Sequence, residues 1–257
     1  IQNLSIRFGP QQVVKNLNLQ VWPGESVALV GESGSGKTLT ARSLLGLLPE
    51  GAEISADRFL IDGRDMRKAN RADWRALRGR RIGYVLQDAL VSLDPLRRIG
   101  QQLSDALNAA GHREGIEEKS LFLLKAAGIH DAESRLARYP HQLSGGQRQR
   151  ALIATALAGS PMLLIADEPT TALDMTVQRQ ILQLLAQRRR EGHGLLLISH
   201  DLAVVAELAD RVLVMRDGEV VEQGESGPLL QRPQHAWTQR LLRAAPTPAT
   251  RGLRLSA

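Results

Sequence analysis

The sequence predicts an α/β protein built around a parallel sheet, with a block of helices inserted near the middle of the chain. Short apolar segments typical of strands alternate with helical segments on both sides of that block. Between residues 95 and 158 the apolar residues recur at helical spacing, as in Ile99, Leu103 and Leu107. The chain has 257 residues and is 43% apolar, so it can build a sizeable core.

The sequence predicts mostly strands in the first third of the chain. Apolar and polar residues alternate in short pieces before a buried-looking apolar run that ends at Val30. From Lys37 to Leu48 the apolar residues fit one helical face, and Pro49 follows to stop the helix. The segments predicted as strands are 4–8, 13–21, 26–30, 55–63 and 81–86.

After the helical block, strands and helices alternate again. We predict a strand over 163–166, a helix over 176–190, a strand over 195–199 and a helix after Asp201. This order favours a parallel sheet. Residues 211–222, with Asp217-Gly218 at their centre, predict a hairpin. The tail beyond them is rich in Pro and Arg, and we expect it to be loosely packed.

Composition excludes several classes of chemistry. With no cysteine, the chain cannot form disulfides, thiolate metal sites, iron-sulfur ligation or a cysteine nucleophile. No apolar run approaches the roughly 20 residues that span a bilayer, so we expect the chain to be soluble by itself. Since it begins at Ile1 and not at methionine, we also expect that its native N-terminus is missing.

The net charge of +6 permits an anionic partner without naming one. The cations are densest from Arg64 to Arg81, where a solvated helix face competes with contact to a partner or to lipid headgroups. Trp74 is the one aromatic residue in that stretch, so no stacking platform accompanies the charge. We therefore expect no nucleic-acid partner.

A glycine-rich loop provides the strongest motif. Residues 31–38 fit G-x-x-x-x-G-K-[ST] directly after a predicted strand and directly before a predicted helix, as a phosphate-binding P-loop requires. The glycines let consecutive N–H groups point at phosphates, and the helix N-terminus adds positive partial charge. Lys37 would contact the β and γ phosphates of ATP, and the Thr38 hydroxyl would hold Mg²⁺. The predicted ATP-binding loop is Gly31, Glu32, Ser33, Gly34, Ser35, Gly36, Lys37 and Thr38.

Two acids follow the apolar strand 163–166. Asp167 would meet Mg²⁺ through water, and Glu168 would polarise the water that attacks the γ-phosphate. The alternative is that Glu168 merely initiates a helix before Pro169. A carboxylate beside the metal-binding acid predicts hydrolysis as well as binding.

The pentapeptide 143–147, Leu-Ser-Gly-Gly-Gln, lies between the P-loop and the acidic pair and resembles the signature of ABC-type ATPases. Three more motifs follow the family's order: Gln87 resembles its Q-loop glutamine, residues 172–174 its D-loop and His200 its switch histidine. The resemblance covers nearly the whole chain. Ser144 and the two glycines also precede a predicted helix, so their hydroxyl and N–H groups would form a second anion site.

The resemblance implies a P-loop NTPase (RecA-like) core with an antiparallel β subdomain and an inserted α-helical subdomain. On this basis we divide the chain into four parts. Residues 1–94 hold the first part of the nucleotide-binding core with the β subdomain and P-loop, and 95–158 the helical signature subdomain. Residues 159–222 complete the core, and 223–257 form a C-terminal extension.

The resemblance also implies that ATP, with Mg²⁺ as cofactor, is bound between two cassettes that pack head to tail. Each nucleotide then lies between one P-loop and the partner's signature. Gln87 would contribute to metal binding and catalysis, His200 would contact the γ-phosphate, and Phe8 would stack on adenine, with a core aromatic as its alternative. The residues that would reach ATP from the signature and D-loop are Ser144, Gly145, Gly146, Gln147 and Asp174.

Segments 87–95, 139–142 and 166–174 resemble the cassettes of oligopeptide, dipeptide and nickel importers. The tail 232–242 is similar to their His-Pro-Tyr-Thr motif but departs from it at Ala236 and Trp237, and it lacks the cysteine cluster of many relatives. The implied protein powers import of peptides, or of nickel or a related small solute.

The importer resemblance implies partners and a location. A second cassette and two transmembrane permease subunits would bind this chain, a permease helix entering the groove around residues 88–100. A solute-binding protein would act indirectly, and the chain would lie on the cytoplasmic face of the inner membrane. A soluble ABC-type ATPase of DNA repair or translation is the alternative, although coiled-coil heptads and a second cassette are missing from these residues. A third hypothesis is a regulatory switch that binds ATP without hydrolysing it, and the presence of Glu168 and His200 disfavours it.

Overall fold

A six-stranded sheet forms the centre of the protein. The computed structural model describes residues 1–87, 92–171 and 173–244. The strand order is β11-β10-β3-β9-β8-β7; the β10–β11 pair is antiparallel and the other pairs are parallel. This sheet confirms the predicted α/β fold. Its strands are β3 (Ser26–Gly31), β7 (Ile82–Val85), β8 (Leu163–Asp167), β9 (Gly194–Ile198), β10 (Arg211–Arg216) and β11 (Glu219–Glu225).

Strands from the N-terminal part of the chain form a smaller antiparallel sheet. Its order is β2-β1-β4, with β1 at Leu4–Phe8, β2 at Gln11–Leu17 and β4 at Ala52–Ser55. Strand β2 ends four residues before the predicted end at Val21. The segment predicted as a single strand over 55–63 instead contains the end of β4 and the short β5 (Leu60–Ile61), which pairs with β6 (Arg64–Asp65).

The helices fall into groups before, within and after the middle of the chain. The described helices are α1 (Lys37–Ser43), α2 (Arg71–Leu77), α3 (Ile99–Ala110), α4 (Ile116–Ala126), α5 (Ala132–Leu136), a 3-10 turn (Pro140–Gln142), α6 (Gly145–Ala156), α7 (Met175–Arg190), α8 (Leu202–Leu208), α9 (Ser226–Gln231) and α10 (Ala236–Ala244). In α3, residues Ile99, Leu103 and Leu107 are buried, as their spacing predicts.

The central strands are buried on both faces. In β3, Ala28 and Val30 belong to one apolar cluster, which also contains the buried residues of α3 and α6. Val27 and Leu29 belong to a second cluster, shared with the smaller sheet. Burial on both faces explains why this strand is an unbroken apolar run.

Helix α1 ends at Ser43, five residues before the predicted end. Leu44 and Leu45 are still buried, which is why the apolar pattern continued beyond the helix. The chain then turns at Gly46, where any side chain would collide with the ring of Trp74. The Trp74 ring packs against the backbone of Gly46, where the sequence predicted another turn of helix.

The tail is more ordered than the sequence predicts. The carboxylate of Glu222 on β11 accepts N–H bonds from Gln234 at 2.7 Å and His235 at 3.2 Å, and so holds the start of α10. The Arg216 guanidinium lies 4.3 Å from the ring centroid of Trp237. The expectation of a loosely packed tail is therefore wrong for 226–244. Within the described ranges, none of the helices combines the length and the apolar character needed to cross a membrane.

Candidate functional site

The P-loop connects the carboxyl end of β3 to the first residue of α1. Gly36 has a φ of 101°, in the left-handed region that favours glycine, and immediately precedes the helix. A side chain at Gly31 would overlap the carbonyl oxygen of Met215 on β10. A side chain at Gly34 would meet no atom within 4 Å. Strand β10 thus packs closely against the loop at Gly31, whereas the loop has free space beside Gly34.

Lys37 lies under this loop and is only 8% exposed. Its ammonium donates to the carbonyl oxygens of Gly31 at 2.8 Å and Glu32 at 2.7 Å, and contacts the Ser35 hydroxyl at 3.4 Å. Burial lowers the pKa of Lys37, whereas the nearby carboxylates of Glu168 and Asp167 act to raise it. The cation is therefore held against the oxygen atoms of the loop.

Asp167 ends strand β8 and is 2% exposed. Its two oxygens have separate donors: the Thr38 hydroxyl lies 3.5 Å from Oδ1, and the Tyr84 hydroxyl lies 3.0 Å from Oδ2. Burial raises the pKa of Asp167, and the bonds from Tyr84 and Thr38 partly oppose that rise. The structure thus brings together Thr38 and Asp167, two of the three residues predicted from the sequence to bind the metal; the third, Gln87, forms no hydrogen bond with either of them in the described ranges.

The oxygen atoms of Thr38 and Asp167 fit Mg²⁺. In the described ranges no group of three or more His, Asp or Glu side chains could hold a metal. Mg²⁺ is usually bound through one or two protein oxygens together with substrate phosphates and water. The buried carboxylate of Asp167 and the Thr38 hydroxyl beside the P-loop provide two protein oxygens of this kind.

Glu168 and His200 form a hydrogen-bonded pair. Oε1 of Glu168 accepts the backbone N–H of His200 at 3.1 Å and lies 2.7 Å from its Nδ1. The Thr171 hydroxyl donates to Oε2 at 3.1 Å. The Glu168 side chain is 10% exposed and that of His200 is 66% exposed, so the pair runs from the interior to the surface. The sequence predicted a role for each residue but not their contact.

The backbone of Glu168 fixes this geometry. Its φ is 51°, unusual for a residue with a side chain and costing about 1 kcal/mol or more. The N–H of Glu168 donates to the carbonyl of Ile198 on β9 at 2.9 Å, which ties the residue to the neighbouring strand. Glu168 does not initiate a helix, because α7 begins at Met175 and is capped by Asp174. The alternative interpretation of Glu168 is therefore wrong.

The signature residues begin helix α6, as predicted. The Ser144 hydroxyl accepts the N–H of Gln147 at 3.3 Å, and the Gln147 side chain accepts the N–H of Ser144 at 3.2 Å. Ser144 and Gly145 are exposed, and a side chain at Gly145 would meet nothing within 4 Å. A side chain at Gly146 would come within 2.8 Å of Val177 on α7. The motif thus presents a helix N-terminus at the surface.

Asp174, Gln87 and Phe8 are the remaining residues predicted to reach ATP or the metal. Asp174 caps α7 by accepting the N–H of Val177 at 2.9 Å. Gln87 is exposed two residues after β7, and the D-loop residue Ala172 and residues 88–91 lie outside the described ranges. Phe8 is half-buried at the end of β1 and packs on the second apolar cluster. Within the described part of the chain, Asp174, Gln87 and Phe8 form no hydrogen bond with the P-loop.

Sequence reasoning missed three neighbours of the acidic pair: Tyr84, Arg42 and Thr171. Tyr84 lies opposite Ile165 in the parallel β7–β8 register, and its hydroxyl reaches Asp167. Burial raises the pKa values of Tyr84 and Asp167, and the positive charge of Arg42, near the end of α1, partly opposes both rises. The order of the strands would have been needed to find Tyr84. The spacing of three residues between Glu168 and Thr171 was a local signal.

Comparison with known families matches residues 14–171 to a family model described as "ABC transporter". The peptidoglycan transport ATP-binding protein YejF of Agrobacterium fabrum is 47% identical over 254 residues, which are 96% of this chain and 46% of that protein. The dipeptide transport ATP-binding protein DppD of Escherichia coli is 41% identical over 253 residues, which are 96% of this chain and 77% of that protein. The chain thus spans less than half of the first relative and most of the second.

Solved structures resemble the same chain. A dimeric ATP-binding cassette in a post-hydrolysis state, bound to ADP and Pi, has a TM-score of 0.73 and 28% identity, covering 87% of this chain and 98% of its own. CbiO1 from Clostridium perfringens, part of the transporter complex CbiONQ, has a TM-score of 0.75 and 28% identity, covering 90% of this chain and 91% of its own.

Proposed function

The chain belongs to the ABC transporter family, and from that premise we propose that it binds and hydrolyses ATP to power a peptide importer. One observation carries the proposal: the P-loop, the Thr38–Asp167 contact and the Glu168–His200 pair lie at the carboxyl ends of neighbouring parallel strands. Ligands of open α/β sheets bind at that edge. The site therefore offers a phosphate cradle, oxygen ligands for a metal and a general base.

Phosphate binding falls to the P-loop and Lys37. The ammonium of Lys37 already has acceptors on Gly31, Glu32 and Ser35, so it must exchange at least one of them for a phosphate oxygen. Residues 31–38 supply backbone N–H groups, and the N-terminus of α1 adds its partial charge. These groups would orient the terminal phosphate of ATP towards the acidic strand end.

Thr38, Asp167 and Gln87 would hold Mg²⁺ beside the phosphates. When bound, the ion would neutralise part of the phosphate charge. Asp167 is the anionic member of this set, and its fixed donors keep one carboxylate oxygen beside Thr38. Gln87 would approach from the end of β7, as its position in the family's Q-loop implies.

Glu168 would accept a proton from the attacking water as the water oxygen bonds to the γ-phosphorus and the bond from that phosphorus to the bridging oxygen of the departing ADP breaks. A general base contributes about 10²- to 10⁴-fold to a rate. The bonds from His200 and Thr171 hold the carboxylate in one orientation, and the exposed part of the His200 ring remains accessible for contact with the γ-phosphate. The pair would thus link the general base, Glu168, to His200, which would contact the γ-phosphate.

The signature would act on a different nucleotide from the one bound by its own P-loop. Ser144, Gly145, Gly146 and Gln147 present an exposed helix N-terminus, and Asp174 lies at the start of the helix packed against it. In our proposal two cassettes pack head to tail, so that each ATP meets a P-loop and the partner's signature. Phe8 would stack on adenine.

Peptide cargo is proposed because relatives covering 96% of this chain carry names for dipeptide and peptidoglycan transport. The permeases would bind this chain at the cytoplasmic face of the membrane, with a permease helix entering the groove around residues 88–100. The alternative of a soluble ATPase in DNA repair or translation is not favoured by any feature of the described site.

Uptake by cells that depend on this gene tests the proposal. We expect that Glu168→Gln stops uptake of labelled di- and oligopeptides, while the control Glu207→Gln leaves it unchanged, because Glu207 is exposed on α8 away from the site. Peptide uptake that continues at the normal rate with Glu168→Gln would refute the proposed transport role. Loss of nickel uptake with retained peptide uptake would reassign the cargo.

A further inference from the structure

The hydroxyl of Tyr84 donates a hydrogen bond of 3.0 Å to Oδ2 of Asp167. The direction of this bond is fixed, because an ionised carboxylate can only accept. A phenol has an ordinary pKa of about 10, well above neutral pH. The phenol therefore keeps its proton, and it has one proton to give.

The bond divides the two oxygens of Asp167 between two donors. Oδ2 is taken by Tyr84, so Oδ1 is the oxygen that lies beside the Thr38 hydroxyl, at 3.5 Å. Asp167 is 2% exposed and has little access to water that could replace the phenol. Without the Tyr84 hydroxyl, Oδ2 would lose its donor and the carboxylate could rotate about its terminal bond.

Tyr84 also connects this carboxylate to the neighbouring strand. It lies on β7 opposite Ile165 of β8, and the same strand leads within three residues to Gln87. Because β7 and β8 are hydrogen-bonded neighbours, the phenol has a rigid base. A side chain that must orient a buried acid needs such a support.

We propose that Tyr84 is a positioning residue of the metal site, which holds Asp167 so that Oδ1 faces Thr38 and the bound Mg²⁺. This inference rests on the proposed ATPase function. It assigns a role to a residue that would act through its hydrogen bond to Asp167. Partners that orient a metal ligand in this way commonly change metal affinity by 10- to 100-fold when they are removed.

The test is a binding measurement without turnover. The dissociation constant of a fluorescent, non-hydrolysable ATP analogue is measured with Mg²⁺ and again with EDTA, and the ratio of the two constants reports the contribution of the metal. We expect Tyr84→Phe to reduce that ratio by about tenfold or more. The constant measured in EDTA should stay at the wild-type value, because the P-loop and Lys37 are unchanged.

The chain supplies a matched control, since its other tyrosine, Tyr139, lies far along the sequence and stacks on His141. Tyr139→Phe removes the same hydroxyl and should leave the ratio unchanged. Tyr84→Met removes the hydroxyl together with the ring and should reproduce the loss, provided that its thermal unfolding remains cooperative.

The outcomes separate this inference from the proposed function. A wild-type ratio in folded Tyr84→Phe or Tyr84→Met overturns the positioning role, as does an equal loss of affinity in EDTA or an equal effect of Tyr139→Phe. If the wild-type protein itself binds the analogue no more tightly with Mg²⁺ than with EDTA, the proposed metal-dependent function fails first.

Discussion

The P-loop region and the signature region both place a helix N-terminus where it can meet phosphate, but they differ in how many of their contacts lie within the chain. Around the P-loop, Lys37, Asp167 and Glu168 are all buried and share partners from several strands. At the signature, the described hydrogen bonds of Ser144 go to Gln147 and Arg148 on its own helix, and a side chain at Gly145 would meet nothing within 4 Å.

The difference bears on the proposal that each ATP lies between two chains. A preorganised, buried cluster can hold charged groups in one geometry before the substrate arrives. An exposed helix N-terminus has groups left to offer to another molecule. The contrast therefore supports a nucleotide site shared between two chains, with the chemistry on the P-loop side.

The largest effect should come from the general base. We expect Glu168→Gln to lower the rate of phosphate release by about 10²- to 10⁴-fold while ATP still binds and holds dimers together. Steady-state phosphate release and nucleotide binding are measured on the same samples. Undiminished release would remove Glu168 from the mechanism, and Glu207→Gln serves as the exposed control.

A change in the signature should abolish hydrolysis without touching the P-loop. Ser144→Arg places a bulky cation at the exposed helix N-terminus, so we expect wild-type ATP affinity in the monomer and no turnover. Ser55→Arg, at an exposed position on β4, is the matched control. If dilute Ser144→Arg monomers hydrolyse ATP at the wild-type rate, the two regions do not share a nucleotide.

The contact between α6 and α7 should affect stability. Gly146→Ala would place a methyl group 2.8 Å from the Cγ1 methyl carbon of Val177, a β-branched side chain with little rotational freedom. We expect the free energy of unfolding to fall by about 1–2 kcal/mol, as in other overpacked sites, when it is measured in urea.

Two variants identify the cause of that loss. Gly145→Ala should cost no stability, because its side chain would meet nothing within 4 Å. Adding Val177→Ala to Gly146→Ala should recover part of the loss. An unchanged urea midpoint for Gly146→Ala would mean that the two helices are not packed as described.

The smallest effect concerns the buried charge of Asp167. Since burial raises its pKa, the ionised carboxylate costs stability above the folded-state pKa, and that cost disappears below the ordinary value of 3.8, where both states are protonated. Asp167→Asn should therefore raise the melting temperature of the nucleotide-free protein at pH 7, with the gain shrinking as the pH falls. Calorimetry at several pH values checks this, and a lower melting temperature at pH 7 would contradict it.

The sequence was enough to find the residues of the P-loop, Asp167, Glu168 and Ser144, because each belongs to a short motif beside a strand or a helix. It could not reveal the contacts between those motifs. Tyr84 and Asp167 are 83 positions apart, and Glu168 and His200 are 32 apart, so the order of the strands decides that they meet. The end of α1 was missed because burial of Leu44 and Leu45 preserves the apolar pattern after the helix has ended.

Mixing two inactive variants tests the shared site most directly. Lys37→Ala disables the P-loop and Ser144→Arg disables the signature, so a mixed dimer retains one site with both halves intact. We expect each variant alone to be inactive and an equal mixture to recover about a quarter of the wild-type rate, because half of the dimers are mixed and each has one working site. If the mixture is no more active than the two variants measured apart, each chain does not supply half of its partner's site.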